Sequence, residues 1–232
     1  MSKYTATFSR NEIKFVFDSS KRQKLEQLLN RYLVSDQYGE HTICNVYFDN
    51  EYDESIIQSQ EKPLYKEKVR LRSYNVPNEY SKVYLEVKKK FCGVVYKRRL
   101  EIELKEANDY AFANKLPRDS SQTFQEIDYV CTNQNLQPAM YIAYDRIAYT
   151  DEYPDGLRVT LDKNVRWRDT DLKMEHGDYG NVLNPDEIIM EIKTSTSIPN
   201  WLAEGLSELQ IYTSSCSKYG RCYQERIEGI KQ

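Results

Sequence analysis

Histidine is scarce in this sequence, and that scarcity narrows the chemistry available to it. Only two histidines occur among 232 residues, His41 and His176, and neither has a partner at metal-ligand or triad spacing. Zinc sites and Ser–His–Asp triads both depend on histidine. A histidine-based hydrolase or zinc protein is therefore excluded as a working hypothesis.

Paired cysteines and long apolar runs are also missing. The five cysteines are odd in number and contain no C-x-x-C, which favours reduced thiols and a cytoplasmic location. The first fifteen residues are polar and lack the apolar core of a secretory signal. No apolar run approaches the length of a membrane span. These absences predict a cytoplasmic protein.

A global excess of positive charge is absent as well. Charged residues make up 30% of the chain, yet the formal net charge is −3. General nucleic-acid binding usually needs a basic domain, so no nucleic-acid partner is expected. The many lysines and arginines must therefore act locally.

Alternation of apolar and charged residues dominates what is present. Between Val69 and Leu104, for example, Arg70 and Arg72 alternate with Val69 and Leu71. This period of two predicts strands, and a period near 3.6 elsewhere predicts helices. The predicted strands are 12–17, 41–49, three within 69–104, 140–149, 156–168 and 187–194, and the predicted helices are 19–32, 107–116, 123–133, 201–211 and one in the C-terminal segment, with a short helix or turn after residue 49.

The charged face of these strands carries nine cations and five acids. The cations are Lys14, Arg70, Arg72, Lys88, Lys97, Arg99, Arg146, Arg158 and Lys193, and the acids are Glu12, Glu86, Glu101, Asp162 and Glu191. Two architectures remain open: a sheet with this face in water, or a barrel that encloses it. Arginine predominates over lysine, hydroxyl side chains are interleaved, and the pattern recurs on strands far apart in sequence, so the barrel is favoured.

An enclosed charged face has a chemical consequence. Ions in a poorly hydrated space cost several kcal/mol each unless they are paired. Since cations outnumber acids, the excess calls for an anionic ligand, and a triphosphate or longer phosphate chain has the right charge and shape. The few carboxylates become candidates for holding a divalent cation on the phosphates.

Nine short motifs in order resemble one known family. They are Arg10–Lys14 (RNEIK), Val46–Asp49 (VYFD), Val69–Arg72 (VRLR), Leu85–Lys88 (LEVK), Val94–Arg99 (VVYKRR), Tyr144–Arg146 (YDR), Leu157–Asp162 (LRVTLD), Met190–Lys193 (MEIK) and Ser217–Tyr219 (SKY). Together they resemble the triphosphate tunnel metalloenzymes, and within them the catalytic domain of the VTC (vacuolar transporter chaperone) polyphosphate polymerases. The resemblance covers nearly the whole chain.

The resemblance implies one domain over 1–232, α+β and mainly β, built as a closed antiparallel eight-stranded tunnel barrel with a charged lumen and flanking helices. It implies Mn²⁺ or Mg²⁺ as cofactor, held by Glu191 with Glu12, and ATP with inorganic phosphate or polyphosphate as substrates. The implied catalytic residues are Lys14, Arg70, Arg72, Lys88, Lys97, Tyr144, Arg146 and Lys218. Ser217 is implied to contact the phosphate chain, and Arg99, Arg158 and Lys193 are further phosphate-binding candidates by their position on the charged face.

One motif departs from the wider superfamily. Hydrolytic relatives begin with E-x-E-x-K, whereas this chain has Arg10 in place of the first glutamate. The missing carboxylate favours the polymerase branch over a two-metal triphosphatase.

Four rival functions stay open: a tripolyphosphate or nucleoside triphosphate hydrolase, a nucleotidyl cyclase, a non-catalytic polyphosphate or nucleotide module, and RNA binding through residues 88–99. The resemblance to bacterial stand-alone members also leaves room for a separate membrane protein as partner, and the oligomeric state is undetermined.

Overall fold

The computed structural model describes residues 11–61, 63–92, 94–151 and 156–230. The alternating segments form strands as expected, and the described residues contain ten strands and six α-helices. The strands are β1 (Asn11–Asp18), β2 (Val34–Ser35), β3 (His41–Asp49), β4 (Tyr65–Tyr74), β5 (Lys82–Phe91), β6 (Val94–Glu103), β7 (Gln137–Thr150), β8 (Arg158–Arg168), β9 (Asn181–Val182) and β10 (Glu187–Thr194). The helices are α1 (Arg22–Leu29), α2 (Glu54–Gln60), α3 (Leu104–Ala113), α4 (Gln122–Asn133), α5 (Asn200–Glu208) and α6 (Lys218–Ile230).

The strands form one sheet, and it contains the antiparallel pairs β1–β10, β10–β8, β8–β9, β2–β7, β3–β4, β4–β5 and β5–β6. Its hydrogen-bonded order is β1-β10-β8-β7-β3-β4-β5-β6, with the two-residue strands β2 and β9 added beside β7 and β8. The prediction of a mainly antiparallel α+β fold is confirmed. Within the described residues the path runs from β1 to β6 and hydrogen bonds do not close it, so closure into a barrel stays a prediction.

The chain divides into two compact units. Among the described residues, the first contains 11–41, 145–151, 156–164 and 184–216, and the second contains 42–61, 63–92, 94–144, 165–183 and 217–230. The single domain expected over 1–232 therefore stays a prediction.

The core of the first unit forms because one face of its strands is apolar. Val159 on β8 and Met190 on β10 pack with Leu25 of α1 and Leu202 of α5. At the start of this region, Asp18 accepts a hydrogen bond from the backbone of Ser20, so the turn after β1 is capped as its sequence predicts. The α1 helix ends at Leu29 rather than near Tyr32.

The core of the second unit is built in the same way. Val69, Leu85 and Leu100 project from β4, β5 and β6 onto the apolar side of α3 and α4, which contributes Leu104 and Ile127. Because alternate residues point to opposite faces, burying these side chains turns the charged residues to the other side of the sheet. No helix among the residues described is long and apolar enough to cross a bilayer.

Candidate functional site

In the second unit, four adjacent strands bring charged side chains into register. Tyr47 on β3 lies opposite Arg70 on β4, Arg70 lies opposite Glu86 on β5, and Glu86 lies opposite Arg99 on β6. Side chains in such a cross-strand row are neighbours on one face. The row therefore places one arginine on each side of the Glu86 carboxylate.

Glu86 is the centre of this cluster. Its side chain is only 2% exposed, and four cations reach it. Arg70 contacts Oε2 at 2.8 Å, and Arg72 lies 3.9 Å from the same oxygen. Lys97 and Arg99 contact Oε1 at 2.6 and 2.7 Å. Burial raises the pKa of this carboxyl, but Arg70, Arg72 and Lys97 outweigh it and hold the pKa well below its usual range.

The cluster has more positive charge than Glu86 neutralises. Four cations surround one carboxylate, which leaves three positive charges in a partly buried space. Burial lowers the pKa of Lys97 to about 8, and the charges of Arg70 and Arg72 add to the effect, although Glu86 opposes it. A further anion close to Lys97 would therefore stabilise its charged form.

Polar residues of β3 orient the two arginines of β4. The Nη1 atom of Arg70 donates to the hydroxyl of Tyr47 at 3.2 Å, and the Nε atom of Arg72 donates to Oδ1 of Asn45 at 3.0 Å. Asn45 is itself fixed by donating to the carbonyl of Ile142. The guanidinium groups are thus held in place before any ligand arrives.

Lysines continue the charged face along the sheet. Lys68, Lys88 and Lys97 lie opposite one another on β4, β5 and β6. Like charges in one cross-strand row repel, so this row also favours an anion. The structure therefore places predicted residues Lys88, Lys97, Arg70, Arg72 and Arg99 on one face of one unit.

The start of α6 belongs to the same unit. Tyr219 stacks on Tyr47 with ring centroids 4.6 Å apart, and its hydroxyl donates to Oδ2 of Asp49 at 2.8 Å. Asp49 also accepts from the backbone of Ser55 and Ile56, so it caps α2. This buried carboxylate therefore anchors the first turn of α6.

The anchored turn positions the two predicted residues of the SKY motif. Ser217 precedes α6, and its Oγ atom accepts from the backbone N–H of Gly220 at 3.2 Å. The Nζ atom of Lys218 lies 4.5 Å above the ring of Tyr144, another predicted residue. Ser217 and Lys218 lie at a helix N-terminus as expected, where backbone N–H groups favour anions.

The first unit has a second charged cluster, made by β1 and β10. Lys14 lies opposite Glu191 and Glu12 lies opposite Lys193. Lys14 is 3.4 Å from Glu12 and 3.9 Å from Glu191, while Lys193 is 2.8 Å from Glu191. Burial raises the pKa of Glu191, but Lys193, Lys14 and Arg146 together lower it to about 2. Glu191 is therefore an ionised carboxylate at neutral pH.

Strands β7 and β8 add an ion pair to this cluster, and β8 also adds a buried hydroxyl group. Arg146 forms a two-pronged contact with Asp162 through Nε at 2.6 Å and Nη2 at 2.7 Å. Thr160 lies directly opposite Glu191, is 4% exposed, and its Oγ1 atom has no hydrogen-bond partner among the described residues. A buried hydroxyl without a partner is costly and points to a ligand or water that completes it.

Arg158 differs from the other predicted cations. It lies opposite Lys193 in register, but its side chain is 46% exposed and contacts Asp36 at 3.3 Å. The other candidate residues of the first unit are Glu12, Lys14, Arg146, Glu191 and Lys193, which the structure brings together. Arg10, which carries the R-x-E-x-K interpretation, lies outside the described residues.

Two carboxylates of the first unit, Glu12 and Glu191, are the candidates for holding a divalent cation. No group of three or more His, Cys, Asp or Glu side chains lies together in the part of the chain that the structure describes. Glu12 and Glu191, however, share their lysine neighbours, and the Thr160 hydroxyl lies opposite Glu191. Mg²⁺ and Mn²⁺ on phosphates take one or two carboxylates and complete their shells with phosphate and water oxygens. This donor set therefore fits such an ion.

Sequence reasoning missed several residues that shape the site. Asn45, Tyr47 and Asp49 alternate with buried Cys44, Val46 and Phe48, so the parity of β3 could have placed them on the charged face. The contact between Asp49 and Tyr219 joins residues 170 positions apart and leaves no local sequence signal.

Comparison with solved structures finds a protein with a similar fold. A "putative adenylate cyclase" from Bacillus halodurans is 14% identical and superposes with a TM-score of 0.57, with 89% of this chain and 92% of that chain covered. The PH1819 protein of Pyrococcus horikoshii is 14% identical over 94% of this chain and 99% of that chain, with a TM-score of 0.47. At these identities the likeness of the first structure establishes shared architecture alone.

Comparison with curated proteins gave no match. Comparison with protein families gave a match to the VTC domain over residues 9–226, nearly the whole chain. All nine motifs, from RNEIK to SKY, lie within the matched residues. The match confirms the resemblance from which the expected site residues were taken. The chain belongs to the VTC domain family.

Proposed function

We propose that this protein is a polyphosphate polymerase that transfers the γ-phosphoryl group of ATP to inorganic phosphate or to a growing polyphosphate chain. The observation that carries the proposal is the group of four cations around Glu86, in a chain whose net charge is −3. A local excess of arginine and lysine on one sheet face, with its arginines already oriented, suits a linear polyanion. Membership of the VTC domain family supports the same substrate class.

The proposal includes closure of the sheet into a tunnel barrel with the charged face inside. The alternation supports this because Val69, Leu85 and Leu100 already pack against helices on the opposite face. Enclosure would lower the local dielectric and strengthen every contact between a cation and a phosphate.

Phosphoryl transfer in such a site depends on positioning and charge. The bond between the γ-phosphorus and its bridging oxygen breaks, an oxygen of the acceptor phosphate forms the new bond, and ADP leaves. Arg70 and Arg72 can each offer two parallel donors to phosphate oxygens, and Lys97 can add a point charge. Each charge-assisted hydrogen bond contributes roughly 1.5–3 kcal/mol. Exclusion of water favours phosphate as the acceptor.

Further residues extend phosphate binding along the chain of the substrate. Lys88 and Arg99 continue the charged face of the second unit, and Ser217 with Lys218 offers a helix N-terminus. Tyr144 adds a hydroxyl in the second unit. Taken by itself, the first unit has its own proposed phosphate-binding cations, Lys14, Arg146 and Lys193. Arg158, nearly half exposed, is the weakest member of this proposed set.

Mn²⁺ or Mg²⁺ is the proposed cofactor, with Glu191 and Glu12 as carboxylate ligands and Thr160 as a hydroxyl within the same cluster. When bound, such an ion neutralises charge on the phosphates. The residues of the chain would hold it through oxygen atoms alone, in keeping with the preference of both metals.

Three rival functions would use the same residues. A hydrolase would use water as acceptor and release orthophosphate, and a non-catalytic module would bind triphosphate without turning it over. A cyclase, the activity named for the Bacillus halodurans structure, would release cyclic nucleotide and pyrophosphate. The substitution of Arg10 for glutamate in the first motif supports the polymerase. A cytoplasmic site of action, with a separate membrane protein as partner, completes the proposal.

The deciding experiment is incubation of the protein with ATP and Mn²⁺, with the products resolved on a gel. We expect polyphosphate to accumulate, and Arg70→Ala and Lys218→Ala to abolish its synthesis. Arg98→Ala is the matched control, because Arg98 lies on the opposite face of β6 and contacts Glu126. Orthophosphate alone would indicate the hydrolase, binding without turnover the module, and a fully active Arg70→Ala would contradict the site.

A further inference from the structure

The second unit has an exposed apolar end that the proposed reaction does not use. It lies where β4 begins and where β5 and β6 meet, and six large apolar side chains are exposed there. They are Leu64, Tyr65, Phe91, Val94, Val95 and Tyr96, and Leu64 and Phe91 are 75% and 54% exposed. We call these six residues the hairpin end. Contiguous exposed apolar groups of this kind mark interaction sites in soluble proteins.

The strand register places most of these apolar side chains on one face of the sheet. Tyr65, Phe91 and Val94 form one cross-strand row on the side that packs against α4 further along. The next row, on the charged side, contains Lys66, Lys90 and Val95. The backbone N–H of Cys92 donates to the carbonyl of Leu64, which ties the end of β5 to the start of β4. This end of the sheet is therefore amphipathic, with an apolar row on one face and two lysines in the next row on the other, the combination that amphipathic elements present at a membrane surface.

Cations lie directly behind these apolar side chains. Residues 64–68 and 88–98 contain seven lysines and arginines and one acid, Glu67. Glu126 of α4 is a second acid nearby and contacts Lys89 and Arg98. Lys97 also contacts Glu86, so with these three acids counted four positive charges remain. Strands rise about 3.4 Å per residue, so Lys66 and Lys90 lie one residue behind the row of Phe91.

We propose that the hairpin end inserts into the surface of a membrane containing anionic lipids. The aromatic and aliphatic side chains would enter the boundary between headgroups and acyl chains, and the lysines would contact the anionic headgroups. Tyrosine is favoured at that boundary. RNA is the other polyanion that a basic strand could bind, but Leu64, Val94 and Val95 have no ring on which a base could stack. The aliphatic side chains therefore favour lipid.

The test is sedimentation of the full chain with vesicles. Vesicles of phosphatidylcholine mixed with the anionic lipid phosphatidylglycerol are compared with vesicles of pure phosphatidylcholine. We expect binding to the first kind and little to the second. Phe91→Glu should lower the partition coefficient at least about tenfold, because burial of one large apolar side chain is lost. Lys90→Glu should lower it about tenfold, because headgroup attraction is reversed.

Two control variants make the comparison specific. Tyr80→Glu changes an exposed aromatic residue in the loop between β4 and β5, and Lys105→Glu reverses an exposed charge on α3. Both should bind vesicles like the unchanged protein, and circular dichroism should show all four variants folded. Equal binding to both kinds of vesicle, or a Phe91→Glu variant that binds unchanged, overturns the proposal. So does RNA binding or self-association that Phe91→Glu abolishes while vesicle binding is absent.

Discussion

Replacing Glu86 by glutamine gives a sharp test of the charge balance in the second unit. The change keeps the size of the side chain and removes its charge, while Arg70, Arg72, Lys97 and Arg99 remain around it. The protein without ligand should become less stable, because four cations lose their common carboxylate. Its affinity for tripolyphosphate should increase, because the incoming anion no longer competes with a resident one.

The size of both effects follows from the buried contacts of Glu86. Removing one partner of a buried ion pair costs about 3–5 kcal/mol. For a chain of this length that loss lowers the melting temperature by about 6–20 °C. Tripolyphosphate at about 100 times its Kd restores roughly 2.7 kcal/mol. Saturating ligand should therefore recover a large part of the lost stability in the variant.

Thermal melting followed by circular dichroism measures the first effect, and isothermal titration with tripolyphosphate measures the second. Glu103→Gln is the matched control: Glu103 also contacts a lysine of the neighbouring strand, Lys82 at 3.4 Å, but both side chains are about half exposed. An exposed pair contributes at most about 1 kcal/mol, so this variant should melt like the unchanged protein. An unchanged melting temperature or a weaker affinity in Glu86→Gln would refute the reasoning.

Three further outcomes are expected. Because the pKa of Lys97 is lowered to about 8, its charge is present below that pH and lost above it, so tripolyphosphate affinity should fall about tenfold from pH 7 to pH 9. Lys97→Arg should flatten that profile in titrations, and a profile that stays steep would exclude Lys97. Thr160→Val should weaken Mn²⁺ binding about tenfold without loss of melting temperature, since its hydroxyl has no partner in the described residues. Tyr219→Phe should remove one hydrogen-bond donor from Asp49 and lower the free energy of unfolding by about 1–3 kcal/mol. Because Lys218 is then less well positioned, KM for ATP should rise more than kcat changes. An unchanged KM would speak against this role.

The sequence predicted the longer elements well because apolar periodicity has a direct physical cause. Strands β3 and β10 have the predicted bounds, and all eight longer strands lie at segments predicted as strands. The charged face was also predictable, because parity alone assigns each residue of a strand to one side. Arg70, Glu86 and Arg99 therefore lie in one row as parity requires.

Other features depended on information that periodicity does not contain. Strands β2 and β9 are two residues long, too short for any alternation to be read. The bond between Asp49 and Tyr219 and the contact of Arg158 with Asp36 link residues distant in the chain. Parity gives the side of the sheet but not the partner, so it places Arg158, whose side chain is 46% exposed, in one group with Arg146, whose side chain is 18% exposed.

The carboxylate of Glu86 has a consequence for movement of a polymer. Under the proposed function, a cation that releases a phosphate group would contact Glu86 again, so it would keep an anionic partner while the product moves. Such a fixed anion would lower the free-energy cost of releasing each phosphate group as the product slides past. Under the proposed function, Glu86 would thus help a lengthening product to advance by one phosphate at a time instead of remaining clamped.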